Sequence, residues 1–232
     1  MSKTIVIVGF GTGISTAVAE KFGAEGLSVA IVARNEAHLA AGVAALSAKG
    51  VTAAAFAADA SDPAAVRAAL GKVRAKLGPI TVIHWNAYGG TEAGDLATTD
   101  PAAVRGVFDV AVIGLLAAVQ EALPDLKDAK DGAVLVTNGA FGELSEQMDA
   151  YAVGMKSMGV ALANAAKHKL VGLLSHRLKN DGVYVGEVMV AGVIKGTRFD
   201  SGASDTIKAS KVADRFWELY RARGETRARV VS

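Results

Sequence analysis

Short apolar runs alternate with longer amphipathic stretches along the whole chain. The runs are TIVIVG (4–9), SVAIVA (28–33), TAAAFA (52–57), ITVIHW (80–85), AVLVTN (133–138) and VYVGEVMV (183–190). Most are apolar at consecutive positions, the pattern of parallel strands covered on both faces. The stretches between them, roughly 12–30 residues long, carry helical periodicity. Asp62-Pro63 and Asp100-Pro101 read as an N-cap followed by proline at the first helical position. Gly26, Gly50 and Gly78 read as helix stops. Repeated strand–helix–strand units require right-handed crossovers and therefore a parallel sheet. The pattern predicts an α/β fold: a doubly wound parallel sheet with helices on both faces, one domain over residues 1–232.

Composition narrows the partners. The chain is 51% hydrophobic and 21% charged, as expected of an ordinary globule. Its 25 basic and 23 acidic residues are interspersed, with no basic block, so no nucleic-acid partner is expected. With no cysteine, disulfides and cysteine-ligated metals are excluded, a reducing compartment fits, and no metal site is expected. The N-terminal apolar run is broken by Gly9 and too short for a signal peptide. The later run VAVIGLLAAV (110–119) falls short of the roughly 18 residues a membrane span needs. A cytoplasmic protein without a membrane partner is the expectation.

Candidate chemistry begins at the first strand. It runs into Gly9-x-Gly11-x-Gly13-x-Ser15, and a helix follows. Glycines let the chain turn tightly and let a pyrophosphate approach bare backbone, and the helix N-terminus supplies free N–H groups and a favourable dipole. Between the first strand and first helix of a βαβ series, this marks a Rossmann-type dinucleotide site. The second strand ends Ala33-Arg34-Asn35, with no acidic residue for the ribose 2′-hydroxyl of NAD. Arg34 suits the 2′-phosphate of NADP, so NADP(H) is expected and NAD is less favoured. After the third strand, Asp59 sits where the strand end faces an adenine amino group, while Asp62 caps the next helix. After the fourth, HWNAYGG offers small and amide residues that let the chain pass close to a ribose. His84, at the strand end, is assigned no role.

In this order the motifs resemble the short-chain dehydrogenase/reductase family over nearly the whole chain. The glycine loop resembles that family's first motif, AADASD its adenine-contacting motif, and Asn86, Ala87 and Gly89 its Asn-Ala-x-Gly motif. FDVAVIGLLAAVQEALP resembles its central interface helix, NDGVYVGEVMVAGVIKGT its sixth strand and the turn over the nicotinamide, and SKVADRFWELYRAR its late helix. The resemblance implies hydride transfer between NADP(H) and a carbonyl or alcohol of a small-molecule substrate. It implies that Gly9, Gly11, Thr12, Gly13 and Ile14 hold the pyrophosphate, and Arg34 and Asn35 the 2′-phosphate. Asp59 and Ala60 would hold the adenine, Asn86 and Ala87 the ribose, with Ile194 in the turn over the nicotinamide. It also implies a homodimer or homotetramer, in keeping with a central helix apolar on more than one face. The chain departs from the family pattern at several positions. The central-helix asparagine falls on Ala111, and the proline before Gly192 is Ala191. Asn138 and Gly139 stand where a serine pair is usual, leaving Asn138 or Thr137 to donate a hydrogen bond to substrate.

The family's acid/base pair is a tyrosine with a lysine four residues on. Counting forward from Gly139 puts the tyrosine at Tyr151, with Lys156 as its companion. In a regular helix a residue five positions on lies about 140° round the axis, so Lys156 serves only if residues 151–156 are irregular. Counting back from LKNDGVYV puts the lysine near Asn164 and the tyrosine near Val160, and the two registers differ by about nine residues. The expected function is NADP(H)-dependent oxidoreduction with Tyr151 and Lys156 as the catalytic candidates. The alternative is an NADP(H)-binding sensor or structural protein without dehydrogenase chemistry.

Overall fold

A computed structural model describes residues 3–197, 199–200, 202 and 205–232. Its centre is a seven-stranded, all-parallel sheet. The strands are β1 (Thr4–Val8), β2 (Ser28–Ala33), β3 (Ala53–Ala57), β4 (Ile80–Trp85), β5 (Ala133–Gly139), β6 (Tyr184–Ala191) and β9 (Arg227–Val231), in the order β3-β2-β1-β4-β5-β6-β9. The six apolar runs all form strands. The seventh, RARVV, was not anticipated: it is an edge strand that buries only Ala228 and Val230, so its signal is a five-residue alternation. A separate parallel pair, β7 (Val193–Ile194) and β8 (Thr206–Ile207), lies beyond β6.

Helices cover both faces, as consecutive apolar strand positions require. On one face, α1 (Ile14–Ala24), α2 (Glu36–Ala48) and α8 (Ala209–Ala222) bury Phe22, Leu46 and Phe216 against Ile5, Ile7 and Ile31. On the other, α3 (Pro63–Leu77), α5 (Leu115–Asp128) and α7 (Met158–Leu178) cover Val6, Val8, Ile83 and Trp85. Asp62 and Asp100 cap α3 and α4 (Pro101–Phe108), each with proline at the helix start. Arg74 of α3 donates to Asp125 of α5 through Nε, at 2.6 Å, and clamps the two helices together.

A π-helical turn, Asp109–Gly114, joins α4 to α5 and makes one helical run from Pro101 to Asp128. This run is long and apolar enough to cross a membrane, which corrects the sequence expectation that no stretch reaches that measure. Its contacts are those of a core helix: Leu115, Ala118, Ala122 and Leu126 are buried against the sheet and α3. Gly114 is required there, because a Cβ would stand 1.9 Å from the Ala60 carbonyl oxygen. The wide turn packs Ala111 with Ala93, Val107 and Ala163, an all-apolar contact where the family has an asparagine.

Candidate functional site

Parallel strands bring all their C-terminal ends to one edge of the sheet, where doubly wound folds place ligands. Here the loops after β1, β2, β3, β4, β5 and β7 meet along that edge. Gly9 has φ 86°, and a Cβ on it would stand 2.4 Å from the backbone nitrogen of Ala87. The first loop is therefore pressed against the fourth. Asn86 ties them further, donating from Nδ2 to the Gly9 carbonyl at 3.1 Å and from its backbone N–H to Val8 at 2.8 Å. Gly11, by contrast, has open space on its Cα. Ser15 accepts from the Gly11 N–H and donates back to its carbonyl, both at 2.9 Å, so the open turn is internally held.

Gly13, with φ 93°, is the N-cap of α1 and offers no side-chain acceptor to the first-turn N–H groups. Thr12 is exposed beside it, and Ile14 begins the helix. Bare backbone and uncapped N–H groups at the start of an 11-residue helix are what a pyrophosphate requires. Ile194 and Thr197 lie above this turn: a Cβ on Gly13 would stand 3.6 Å and 2.8 Å from their methyl carbons.

At the end of β2, Arg34 is exposed and makes no hydrogen bond or ion pair among the described residues. Asn35 Oδ1 accepts from the His38 N–H at 2.9 Å and caps α2, so that oxygen is engaged in the fold. Asp59 accepts from the Ser61 backbone N–H at 2.9 Å and from its hydroxyl at 2.8 Å. The Ser61 backbone bond chiefly holds the Asp59 carboxyl below its ordinary value, with Arg34 adding a smaller attraction. The Ala60 carbonyl faces Gly114.

The substrate end differs from expectation more sharply. Tyr151 lies on α6 (Glu146–Gly154), a helix of its own, and is 55% exposed. Its ring stacks on Phe141 at 5.6 Å between centroids and 20° between planes. Lys156 lies in the break between α6 and α7, exposed, with φ 49°. The helix is regular through Gly154, so Lys156 leaves on a different side from Tyr151, and no hydrogen bond joins their side chains among the described residues. The expected irregularity is present, but it does not pair the two groups. The continuous 21-residue α7 instead favours the register counted backward, with Val160 and Asn164 on its first turns.

The polar groups after β5 are also differently engaged than expected. Thr137 Oγ1 lies 3.0 Å from His84 Nε2, and its carbonyl accepts from Lys167 Nζ at 3.1 Å. Asn138 Nδ2 donates to the Asn164 carbonyl at 2.9 Å and to Glu187 Oε1. Both Asn138 Nδ2 hydrogens are thus engaged within the fold, and Thr137 Oγ1 is in contact with His84. Burial alone holds His84 neutral, with its pKa pushed down to about 3, and burial lowers Lys167 to about 8 against a weaker opposing attraction from Glu187. Glu187, fully buried, also meets His168 Nδ1 at 2.8 Å. Its sequence signal was a lone carboxylate inside the apolar run VYVGEVMV.

The residue that sequence reasoning undervalued is Asn164. It is 6% exposed, and a Cβ on Gly139 would stand 2.6 Å from its Nδ2. Its amide fills the volume a side chain at position 139 would take. Among the described residues the sealed polar side-chain atoms without a partner are His84 Nδ1, Trp85 Nε1 and Asn138 Oδ1. Among the described residues the Asn164 side-chain amide makes no hydrogen bond, and it lies packed between Gly139 and Gly142.

Comparison with known proteins agrees with this fold. The family model for short chain dehydrogenases matches residues 3–205. A short chain dehydrogenase of Pseudocercospora fijiensis is 32% identical over 135 residues, 57% of this chain and 43% of that protein, so the match spans less than half of the relative's length. Among solved structures, a metagenomic short-chain oxidoreductase in complex with NADP is 23% identical, with TM-score 0.79 and 99% and 95% of the two chains covered. The NADPH-bound short chain oxidoreductase of Pseudomonas aeruginosa PAO1, described as containing an atypical catalytic center, is 20% identical at TM-score 0.85, covering 98% and 94%. A blue fluorescent protein from a metagenomic library, in complex with NADPH, is 22% identical at TM-score 0.84, covering 99% and 96%. These structural likenesses are likenesses of fold.

Proposed function

Since the chain belongs to the short-chain dehydrogenase family, we propose that it binds NADP(H) and catalyses hydride transfer between the nicotinamide and the carbonyl or alcohol of a small molecule. The observation that carries the reading is Arg34, exposed and unpaired among the described residues at the end of β2, with no carboxylate in Ala33-Arg34-Asn35. A guanidinium matches a phosphate, whereas a ribose 2′-hydroxyl needs an acceptor. The glycine turn fits the rest of the group: Gly11 is open, and the first-turn N–H groups of α1 carry no side-chain cap. Of the three solved structures compared above, two are named as NADPH complexes and one as an NADP complex.

Bound there, NADPH would supply a hydride to the carbonyl carbon. The chain's own part is to hold the carbonyl oxygen and bring it a proton. The groups we propose for this are the Asn164 amide, as donor to the oxygen, and Tyr151 Oη, as the proton carrier. Tyr151 has no lysine ammonium paired with it, so its proton exchanges with solvent. A homodimer or homotetramer is part of the proposal, supported by Ile113 and Leu173, which expose large apolar side chains on the central helical run and on α7.

A second reading is favoured by one observation: Val160 and Asn164, not tyrosine and lysine, stand on the first turns of α7. On that reading the chain binds NADP(H) as a sensor or structural partner and does no chemistry. The two separate in one experiment. NADPH binding is followed by nicotinamide fluorescence, and turnover by NADPH oxidation with a carbonyl panel. Oxidation that falls about 100-fold in Tyr151→Phe supports the first reading. Binding without oxidation supports the second, and no binding removes both.

A further inference from the structure

We propose that Phe10 and Gly42 are a positioning pair for the dinucleotide. The Phe10 ring plugs the glycine turn into a gap in α2 and so fixes the spacing between that turn and Arg34. The proposal rests on the cofactor reading above and deepens it: NADPH must reach the turn with its pyrophosphate and Arg34 with its 2′-phosphate at once.

Helix α2 has a narrow hold on the sheet. Of its 13 residues it buries Leu39 and Leu46. These stand seven apart on one face, and Gly42 and Val43 lie between them at the i+3 and i+4 positions of the same face. Val43 packs against the core beside them. Gly42 has no side chain to contribute, and a glycine inside a helix costs about 1 kcal/mol relative to alanine. Its use is the close approach of Phe10. A Cβ on Gly42 would stand 2.4 Å and 2.8 Å from Phe10 Cε1 and Cζ, and 2.9 Å from Ile31 Cδ1. The tip of the ring therefore fills the gap in the apolar stripe, beside Ile31 of β2.

The other end of Phe10 is the turn itself. It stands between Gly9, whose Cα is pressed on Ala87, and Gly11, whose Cα is open. The N–H groups of Gly9 and Phe10 both donate to the Val32 carbonyl, at 2.9 Å and 3.0 Å. Two residues after Val32 comes Arg34, and Asn35 then caps α2. These contacts close a circuit: from the turn to the end of β2, through Arg34 into α2, and back to the turn through Gly42 and Phe10. Backbone bonds hold one side of the circuit. The Phe10 ring closes the other and keeps the start of α2 in place against the turn.

A ligand held at two anchors gains from the second in proportion to how well the spacing is preset. NADPH uses both anchors. NADH lacks the 2′-phosphate, and adenosine 2′-monophosphate lacks the pyrophosphate, so each uses one. That difference separates positioning from packing.

The test titrates the full chain calorimetrically with these three ligands and records the melting temperature without ligand. Phe10→Ala should lower the melting temperature by about 5 °C. It should weaken NADPH about tenfold, while NADH and adenosine 2′-monophosphate change less than about twofold. Phe10→Ala/Gly42→Leu refills the stripe from the helix side but leaves the turn untied. It should regain the melting temperature and not the NADPH affinity. A double variant that regains both shows that the ring only packs, and overturns the proposal. So does an equal loss for all three ligands, or an NADPH affinity that ignores Phe10→Ala. If the double variant does not regain its melting temperature, the three-ligand comparison in Phe10→Ala decides by itself. An unsubstituted chain that binds no NADPH removes the cofactor reading and the proposal with it. An unsubstituted chain that binds NADPH, with any of the overturning results, removes the proposal alone.

Discussion

The side chain of Asn164 and the Cα of Gly139 occupy one niche between α7 and the end of β5: a Cβ added at Gly139 would lie 2.6 Å from Asn164 Nδ2. The glycine and the amide are therefore one choice made at two positions. Gly139→Ser should destabilise the fold by about 1–3 kcal/mol, because a buried amide must move. Adding Asn164→Ala should recover most of that loss. Urea unfolding of the four proteins of the double-mutant cycle measures the coupling, and additive losses would refute the shared niche.

The glycine loop separates a stability effect at Gly9 from a binding effect at Gly11. Gly9 has positive φ and backbone at 2.4 Å, so Gly9→Ala should cost about 2 kcal/mol or more of stability. Gly11 has nothing within 4 Å, so Gly11→Ala should leave stability within about 0.5 kcal/mol yet weaken NADPH, whose pyrophosphate needs that space. Thermal melts and NADPH titrations of both variants give the answer. Equal melting temperatures would contradict the close approach to Ala87.

Arg34 is the residue we propose to select the cofactor. A charge-assisted contact contributes about 1.5–3 kcal/mol, so Arg34→Ala should lower NADPH affinity about 10- to 100-fold. NADH, lacking the 2′-phosphate, should be nearly unaffected. Parallel fluorescence titrations with the two dinucleotides check this, and equal losses for both would show that Arg34 does not read the phosphate.

Two buried bases make stability depend on pH in the same direction. His84 titrates at about 3 in the fold and near its ordinary 6.5 when unfolded. Between those values the unfolded chain binds a proton that the folded chain refuses, so stability falls as pH drops below 6.5. The slope is at most about 1.4 kcal/mol per pH unit. Lys167, lowered to about 8 from 10.5, acts likewise at the other end: stability rises as pH increases from 8 to 10.5. Urea unfolding across both windows should show both slopes, and Lys167→Met should remove the alkaline one. An imidazole proton resonance of His84 that titrates near 6.5 would disprove its sealed environment.

By itself the sequence determined six of the seven strands, their helical cover and the glycine loop after β1. Those features are local: consecutive apolar residues make buried parallel strands, Asp-Pro pairs start helices, and a glycine loop between strand and helix makes an anion site. Asn35 carries a role the sequence reading did not assign, the cap of α2. The substrate end was decided only by the tertiary structure. Tyr151 and Lys156 are five apart in sequence, yet a helix break with φ 49° at Lys156 keeps them from pairing. Asn164 and Gly139 are 25 apart and share a niche that no periodicity reveals. Tyr88 and Phe199 meet across more than 100 residues. Chain direction at a break and side-chain packing between distant loops are set by how α7 seats against β4 and β5, and neither leaves a repeat in the sequence.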